Sequence, residues 1–283
     1  MEQKFTEFNN KKIIDKVCET HQVNYWQIST PIRGSSERRL QEFCPECVRE
    51  GIQQKEQELI KEQVNKQAYI KTYDVLMRDS LIPSELRGAT FENFVVSIAE
   101  EQQMLDFAKG QVKKYLNGMT GNTLITGNTG IGKSHLSLAL AKAINEGFKA
   151  KNDPKSVLFI SLTEIIKQIK EGWNYGRNAS LTEYEAVERL TSVDFLIMDD
   201  LGAKNATISP KSDWEQDFLF DIINNRETTI FNTNLDSNEI RTVYNARNSS
   251  RILKGLEGNS FKAFSIKDKR YTINKFKQGE QTK

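Results

Sequence analysis

Gly127-Asn128-Thr129-Gly130-Ile131-Gly132-Lys133-Ser134 fits the pattern G-x-x-x-x-G-K-S without a mismatch. The short apolar run Thr123-Leu124-Ile125-Thr126 precedes it and reads as a strand, and a helical pattern from about Lys133 to Asn145 follows. That context separates a phosphate loop from an ordinary glycine-rich turn. The glycines let backbone N–H groups curl around a phosphate, and the helix N-terminus adds partial positive charge. Lys133 is expected to reach the β- and γ-phosphates of a nucleotide, and Ser134 to ligate Mg²⁺. The loop as a whole, Gly127 to Ser134, is the candidate ATP cradle.

Magnesium needs a second protein ligand, expected at the end of a buried strand beside the loop. Phe195-Leu196-Ile197-Met198 is such a strand, and it ends in Asp199-Asp200. Asp199 is the candidate for holding the ion through water; Asp200 is placed to orient or deprotonate the attacking water. Adjacent carboxylates repel, so a nearby cation makes the pair tolerable. Thr228-Thr229-Ile230-Phe231 is another strand, ending in Asn232-Thr233-Asn234. A neutral amide at Asn234 can hold the lytic water against the γ-phosphate. Asparagine also begins turns, so this residue takes its weight from its order after the other two motifs.

Outward from these motifs, Ser156–Ile160 reads as a further strand and Leu162–Lys170 as a helix. Short apolar runs separated by helical segments imply an α/β fold, a parallel sheet with helices on both faces. Residues 51–80 place Ile52, Leu59, Ile60, Val64, Ile70, Val75 and Leu76 at spacings that suit a long, mostly exposed helix. Ile82-Pro83-Ser84 breaks that pattern, since proline ends or kinks a helix. The expected organisation is therefore three parts: 1–50, a helical linker at 51–82, and a nucleotide domain at 83–283.

Gly127–Ser134, then Asp199-Asp200-Leu201-Gly202, then Thr233-Asn234-Leu235 resemble the bacterial and phage replicative-helicase loaders, the DnaC-like AAA+ ATPases. Relatives that assist insertion-sequence transposases share these motifs. The resemblance covers about residues 80 to 275. It implies an AAA+ P-loop fold with a reduced lid, ATP hydrolysis as a slow switch, self-assembly, and a hexameric replicative helicase and single-stranded DNA as partners. It also implies arginines that reach a neighbouring subunit's ATP. Arg247-Asn248-Ser249-Ser250-Arg251 is similar to the family's box, with Arg251 as the trans-acting finger and Arg247 as a second contact. On a helix that spacing puts both guanidinium groups on one face. Arg270 resembles the family's late arginine, in the sensor 2 role toward the nucleotide.

All three cysteines and one of the two histidines fall in Cys18-Glu19-Thr20-His21 and Cys44-Pro45-Glu46-Cys47. Two ligand pairs from two tight turns suit tetrahedral Zn²⁺ with three thiolates and one imidazole. Val23, Tyr25, Trp26 and Ile28 between them suit a strand hairpin, so the N-terminal part is expected to be zinc-ribbon-like. Four protein ligands leave no open position, which makes the metal structural. Some loaders carry such a module to engage the helicase, and the transposase helpers generally lack one. The other histidine, His135, is expected to pack beside the loop.

Composition is that of an ordinary globular chain: 37% hydrophobic, 28% charged, net charge +2 over 283 residues. No global field draws the chain to nucleic acid, so any such pull is local. From Arg241 onward eleven basic residues face only Glu257, Asp268 and Glu280. That excess suits a phosphate backbone, or equally arginines on ATP followed by a solvated tail. Neither a membrane span nor a signal-peptide core is visible, so a reducing cytoplasmic setting is expected. Two rival functions stay open, a helper ATPase for a DNA transposase and a helicase-binding inhibitor or adaptor that keeps the ATP fold.

Overall fold

The computed structural model describes residues 11–32, 34, 36–173, 181–202 and 208–270. The chain divides into two compact units, residues 1–67 and 68–283.

In the first unit, β1 (Lys12–Val17), β2 (Asn24–Pro31) and β3 (Arg38–Phe43) form an antiparallel sheet in that order. Ile13 and Phe43 both pair with Trp26, and the rings of Trp26 and Phe43 meet edge to face at 6.3 Å. Helix α1 (Pro45–Lys71) follows and buries none of its residues. Ile52, Leu59, Ile60 and Val64 are exposed along it, as expected for this stretch.

The second unit holds five parallel strands: β4 (Thr123–Gly127), β5 (Val157–Ser161), β6 (Phe195–Asp199), β7 (Thr229–Thr233) and β8 (Ser260–Ala263). Their order across the sheet is β5-β6-β7-β4-β8. Strand sequences such as Val157-Leu158-Phe159-Ile160 are apolar at every position because both faces are covered. On one face Ile125, Phe159, Ile197 and Ile230 pack with α3 (Ala99–Leu116) and α4 (Lys133–Ala150). On the other, Leu124, Ile160, Met198 and Phe231 pack with α5 (Leu162–Gly172), α6 (Glu183–Ser192), α7 (Asp213–Asn224), α8 (Ser237–Val243) and α9 (Ala246–Ile252). Leu162, Ile165, Ile166 and Ile169 are the buried residues of α5, one apolar stripe at helical spacing. The α/β sandwich expected from the alternating signals is what forms.

The structure departs from the expected linker at 51–82. Helix α2 (Val75–Asp79) buries Val75 and Leu76 in the second unit's core. Leu81 then donates its amide to the Phe159 carbonyl at 3.0 Å, extending the reach of β5. Asn145 donates to the Tyr73 carbonyl (3.0 Å) and the Phe159 amide to Ser80 Oγ (2.9 Å), so residues 68–82 pack with the nucleotide unit while most of α1 groups with the first. Among the described residues no helix is long and apolar enough to cross a membrane.

Candidate functional site

The loop between β4 and α4 closes over itself as the motif demands. Gly132 caps α4 at φ 95°, and a Cβ there would stand 2.7 Å from the Phe94 ring. At Gly127 (φ 157°) a Cβ would land on the Ala263 carbonyl of β8. Only glycine fits both constraints. Asn128 turns its side chain outward, donating to the carbonyls of Phe264 (2.6 Å) and Ile266 (3.0 Å). Ile131 is wholly buried in the core. Thr129, Gly130, Gly132, Lys133 and Ser134 are left bordering a cavity of about 670 Å³, a volume suited to a nucleotide-sized ligand. Lys133 donates to the carbonyls of Gly127 (2.9 Å) and Asn128 (2.7 Å) and to Asn234 Oδ1 (2.5 Å). Burial pushes its ammonium down to about 8, against the pull of Asp200 and Asp199.

Asp199, Asp200 and Asn234 border the same cavity. The sequence reading set the acids on the strand beside the loop; instead β7 lies between β4 and β6. This insertion brings Asn234 between Lys133 and the acid pair. It also makes Asn232, in mid β7 and fully buried, the brace of the site. Its amide donates to Asp199 Oδ1 and to Ser137 Oγ (2.9 Å), while its oxygen accepts from the Asp200 amide (2.9 Å). Thr233 Oγ1 donates to the Leu201 carbonyl at 2.5 Å, fixing the turn in which Asp200 adopts φ 55°. Burial, then the charge of Asp200, raise the Asp199 carboxyl to about 6, with Asn232 and Ser134 opposing. A desolvated carboxylate beside a second acid and a hydroxyl is a hard-oxygen donor set, which fits Mg²⁺. Asn232 is hidden in the sequence because its partners lie on β6 and α4, distant along the chain; its one signal is a polar residue directly after an apolar run.

Of the three candidate arginines, only Arg270 borders the cavity. Its amide donates to Asp268 Oδ1 at 2.9 Å, at the end of a segment that runs from β8 across the loop. Arg247 and Arg251 lie on α9, one turn apart, against Phe220 at 3.7 and 5.1 Å from the ring centre. Arg247 also pairs with Asp217 at 2.6 Å. His135 has the packing role expected, with Nε2 2.8 Å from the Thr90 carbonyl and its ring edge-on to Phe94. Of the basic C-terminal run, Lys275, Lys277 and Lys283 lie outside the described residues.

Cys18, His21, Cys44 and Cys47 converge, their ligand atoms all within 4.8 Å of one another. Cys18 and Cys47 sulfurs are 3.7 Å apart, and His21 Nδ1 lies 3.3 to 3.7 Å from the three sulfurs. Ligands about 2.3 Å from a tetrahedral centre stand about 3.8 Å apart, so this spacing fits zinc. The turn from Cys18 to Val23 is held by Cys18 N–H to Val23 O and Gln22 N–H to Cys18 O, both 2.9 Å. Cys44 follows β3, and Cys47 lies in the first turn of α1. One residue the sequence reading missed is Glu50, whose Oε1 is 3.0 Å from His21 Nε2. With a metal on Nδ1, the Nε2 proton goes to Glu50, which fixes the tautomer. Its position one turn beyond Cys47 was the available signal.

The model of the IstB-like ATP binding protein family matches residues 60–254, well over half of the chain. A sequence comparison with curated proteins finds no match. Among solved structures the chain is similar to a DNA replication initiation factor at 24% identity, covering 68% of this chain and 55% of that one with a TM-score of 0.49. It is similar to the DnaC helicase loader at 17% identity (64% and 99% covered, TM-score 0.48) and to DnaI at 22% (65% and 94%, TM-score 0.48). The chain thus spans just over half of the first of these structures. Family match and phosphate loop agree: this chain belongs to the IstB-like ATP binding protein family and is a P-loop ATPase.

Proposed function

We propose that the chain is an ATP-driven loader of a hexameric replicative helicase. In this reading Lys133 meets the β- and γ-phosphates, while Ser134 and Asp199 hold Mg²⁺. The ion, when bound, neutralises charge on the phosphates. Asp200 takes the proton of the attacking water, Asn234 holds that water against the γ-phosphate, and Arg270 contacts the nucleotide from the same chain. Arg251 and Arg247 complete a neighbouring subunit's site. The zinc unit and α1 recognise the helicase, the assembled ATPase units hold single-stranded DNA, and slow hydrolysis releases the cargo.

The observation that carries this reading is the separation of the arginines. Lys133, Asp199, Asp200 and Asn234 share one cavity, whereas Arg247 and Arg251 stand off it on α9. Such a site turns over only when a second subunit supplies charge, which suits a switch set by assembly. Mixing two inactive variants, Lys133→Ala and Arg251→Ala, should restore hydrolysis, because the second keeps a competent cradle and the first supplies the arginine. A mixture as dead as its components contradicts completion in trans. For the cargo, native mass measurement of the full chain with the replicative helicase from the same genome should show a complex with ATP. No complex in any nucleotide state sinks the loader reading.

The second reading, a helper ATPase for a DNA transposase, is favoured by the family match itself. The Cys/His cluster at residues 18–47 lies outside the matched span and favours the loader. Binding to a transposase and not to the helicase in the same experiment decides for the helper.

A further inference from the structure

The segment after β8 is more than a tail leaving the sheet. Ile266 is buried in the core. Phe264 and Ile266 accept from Asn128 of the phosphate loop, and the Lys269 amide donates to the Gly130 carbonyl at 3.1 Å. The Asp268 carboxylate lies against Gly130, where any side chain would collide with it. Arg270 comes next and borders the cavity, close enough to Lys133 to disfavour its charge.

What fixes the far end of this strap is Lys269. Its ammonium lies 3.1 Å from Glu101 Oε1, donates to the Val95 carbonyl at 2.6 Å and stands 4.3 Å from the Phe94 ring centre. Both partners are secluded, their side chains 18% and 4% exposed. Glu101 in turn accepts from the Ser97 and Ile98 amides at the start of α3 (2.5 and 3.3 Å). Burial pushes the Glu101 carboxyl up, but the Ser97 amide and Lys269 outweigh it and hold it below its ordinary range. Phe94, under the Lys269 ammonium, is also the ring that abuts Gly132. A secluded, hydrogen-bonded ion pair of this kind costs desolvation and is weak as a source of stability. Its geometric effect is to fix the backbone one residue before Arg270.

We infer that the Lys269–Glu101 ion pair is a latch that holds Arg270 over the nucleotide, so Lys269 and Glu101 are positioning residues for ATP. The inference rests on the reading that Arg270 meets the triphosphate. Titration of fluorescent ATP and ADP analogues into the full chain tests both. Lys269→Met should weaken ATP about tenfold, the scale of one charged hydrogen bond, and ADP less; Lys269→Arg should recover most of it. Lys269→Met combined with Arg270→Ala should bind no more weakly than Arg270→Ala alone, because the two act through one contact. Glu101→Gln with Lys269→Met leaves no unpaired charge. That variant should show the same loss with an unchanged thermal midpoint in the absence of nucleotide, and it carries the test if Lys269→Met alone does not fold. Wild-type ATP affinity in the neutral-pair variant, or losses that multiply in the combined variant, overturns the latch while Arg270→Ala still weakens binding. Wild-type affinity in Arg270→Ala itself overturns the underlying reading, and the latch with it.

Discussion

The two units of this chain are ordered by different physics. Before residue 68, Cys18 and Cys44 are the buried apolar side chains among the described residues, and α1 buries nothing. The second unit sets two apolar clusters on opposite faces of its sheet, with Phe159, Phe218 and Phe231 wholly enclosed. Burial of that kind stabilises by about 25 cal/mol per Å² of apolar surface, which a three-stranded sheet with exposed Ile13 and Leu40 cannot match. A metal held by Cys18, His21, Cys44 and Cys47 would supply the first unit with what its apolar burial does not, while the second rests on its core.

The largest expected effect follows directly. Chelation of zinc, or Cys44→Ser, should abolish hydrogen-exchange protection in 12–43, since structural zinc supplies on the order of 10 kcal/mol to such modules. Protection in 123–233 and ATP affinity should persist; loss in both units together breaks the comparison. Next, Phe231→Ala should destabilise the ATPase unit by about 3–5 kcal/mol through cavity formation, read as a lowered denaturant midpoint, while bound zinc stays at one per chain. Smaller again, Glu50→Gln should lower zinc affinity by about tenfold or somewhat more, the usual effect of removing a carboxylate behind a ligating histidine. Competition with a chromophoric chelator measures it, and an unchanged affinity would mean that His21 needs no orienting partner.

The gentlest probe is pH, read at the second unit's site through nucleotide binding. Asp199 sits at about 6, above its ordinary 3.8, because of burial and then Asp200. A raised acid favours the fold while protonated, so its contribution is full below about 3.8 and is lost as pH rises through 6. Magnesium needs the ionised form, so its affinity should fall progressively below pH 6. Lys133 sits at about 8 because of burial, so binding of the triphosphate should weaken as pH rises past 8. Mg-ATP titrations across pH 5 to 9 should give a bell with limbs near those values. A flat profile would contradict the buried placement of both groups.

Much of this was legible in the residues themselves. The phosphate loop, the strand before it and the helix after it are local patterns, and all three formed where the pattern put them. The Cys18–Cys47 cluster was legible because ligand chemistry needs only identity and pairing. The order of strands was not, since nothing in Thr229-Ile230-Phe231 says that it slides between β4 and β6. Hidden for the same reason were Asn232, which braces Asp199 across the sheet, and the pairing of Lys269 with Glu101, 168 positions away in sequence. The docking of α2 was hidden because Val75 and Leu76 read as a continuation of the exposed helix, while the partners that bury them are distant in sequence.

The account turns on a triphosphate held between β4 and α4 with Lys133 at its terminal phosphates. Equilibrium titration of ATP into the full chain, wild type beside Lys133→Ala, tests that most directly. Saturable binding of one nucleotide per chain that Lys133→Ala abolishes, with the ATPase unit still folded, is the predicted result. Equal affinity in the two proteins would place the nucleotide elsewhere and contradict the account.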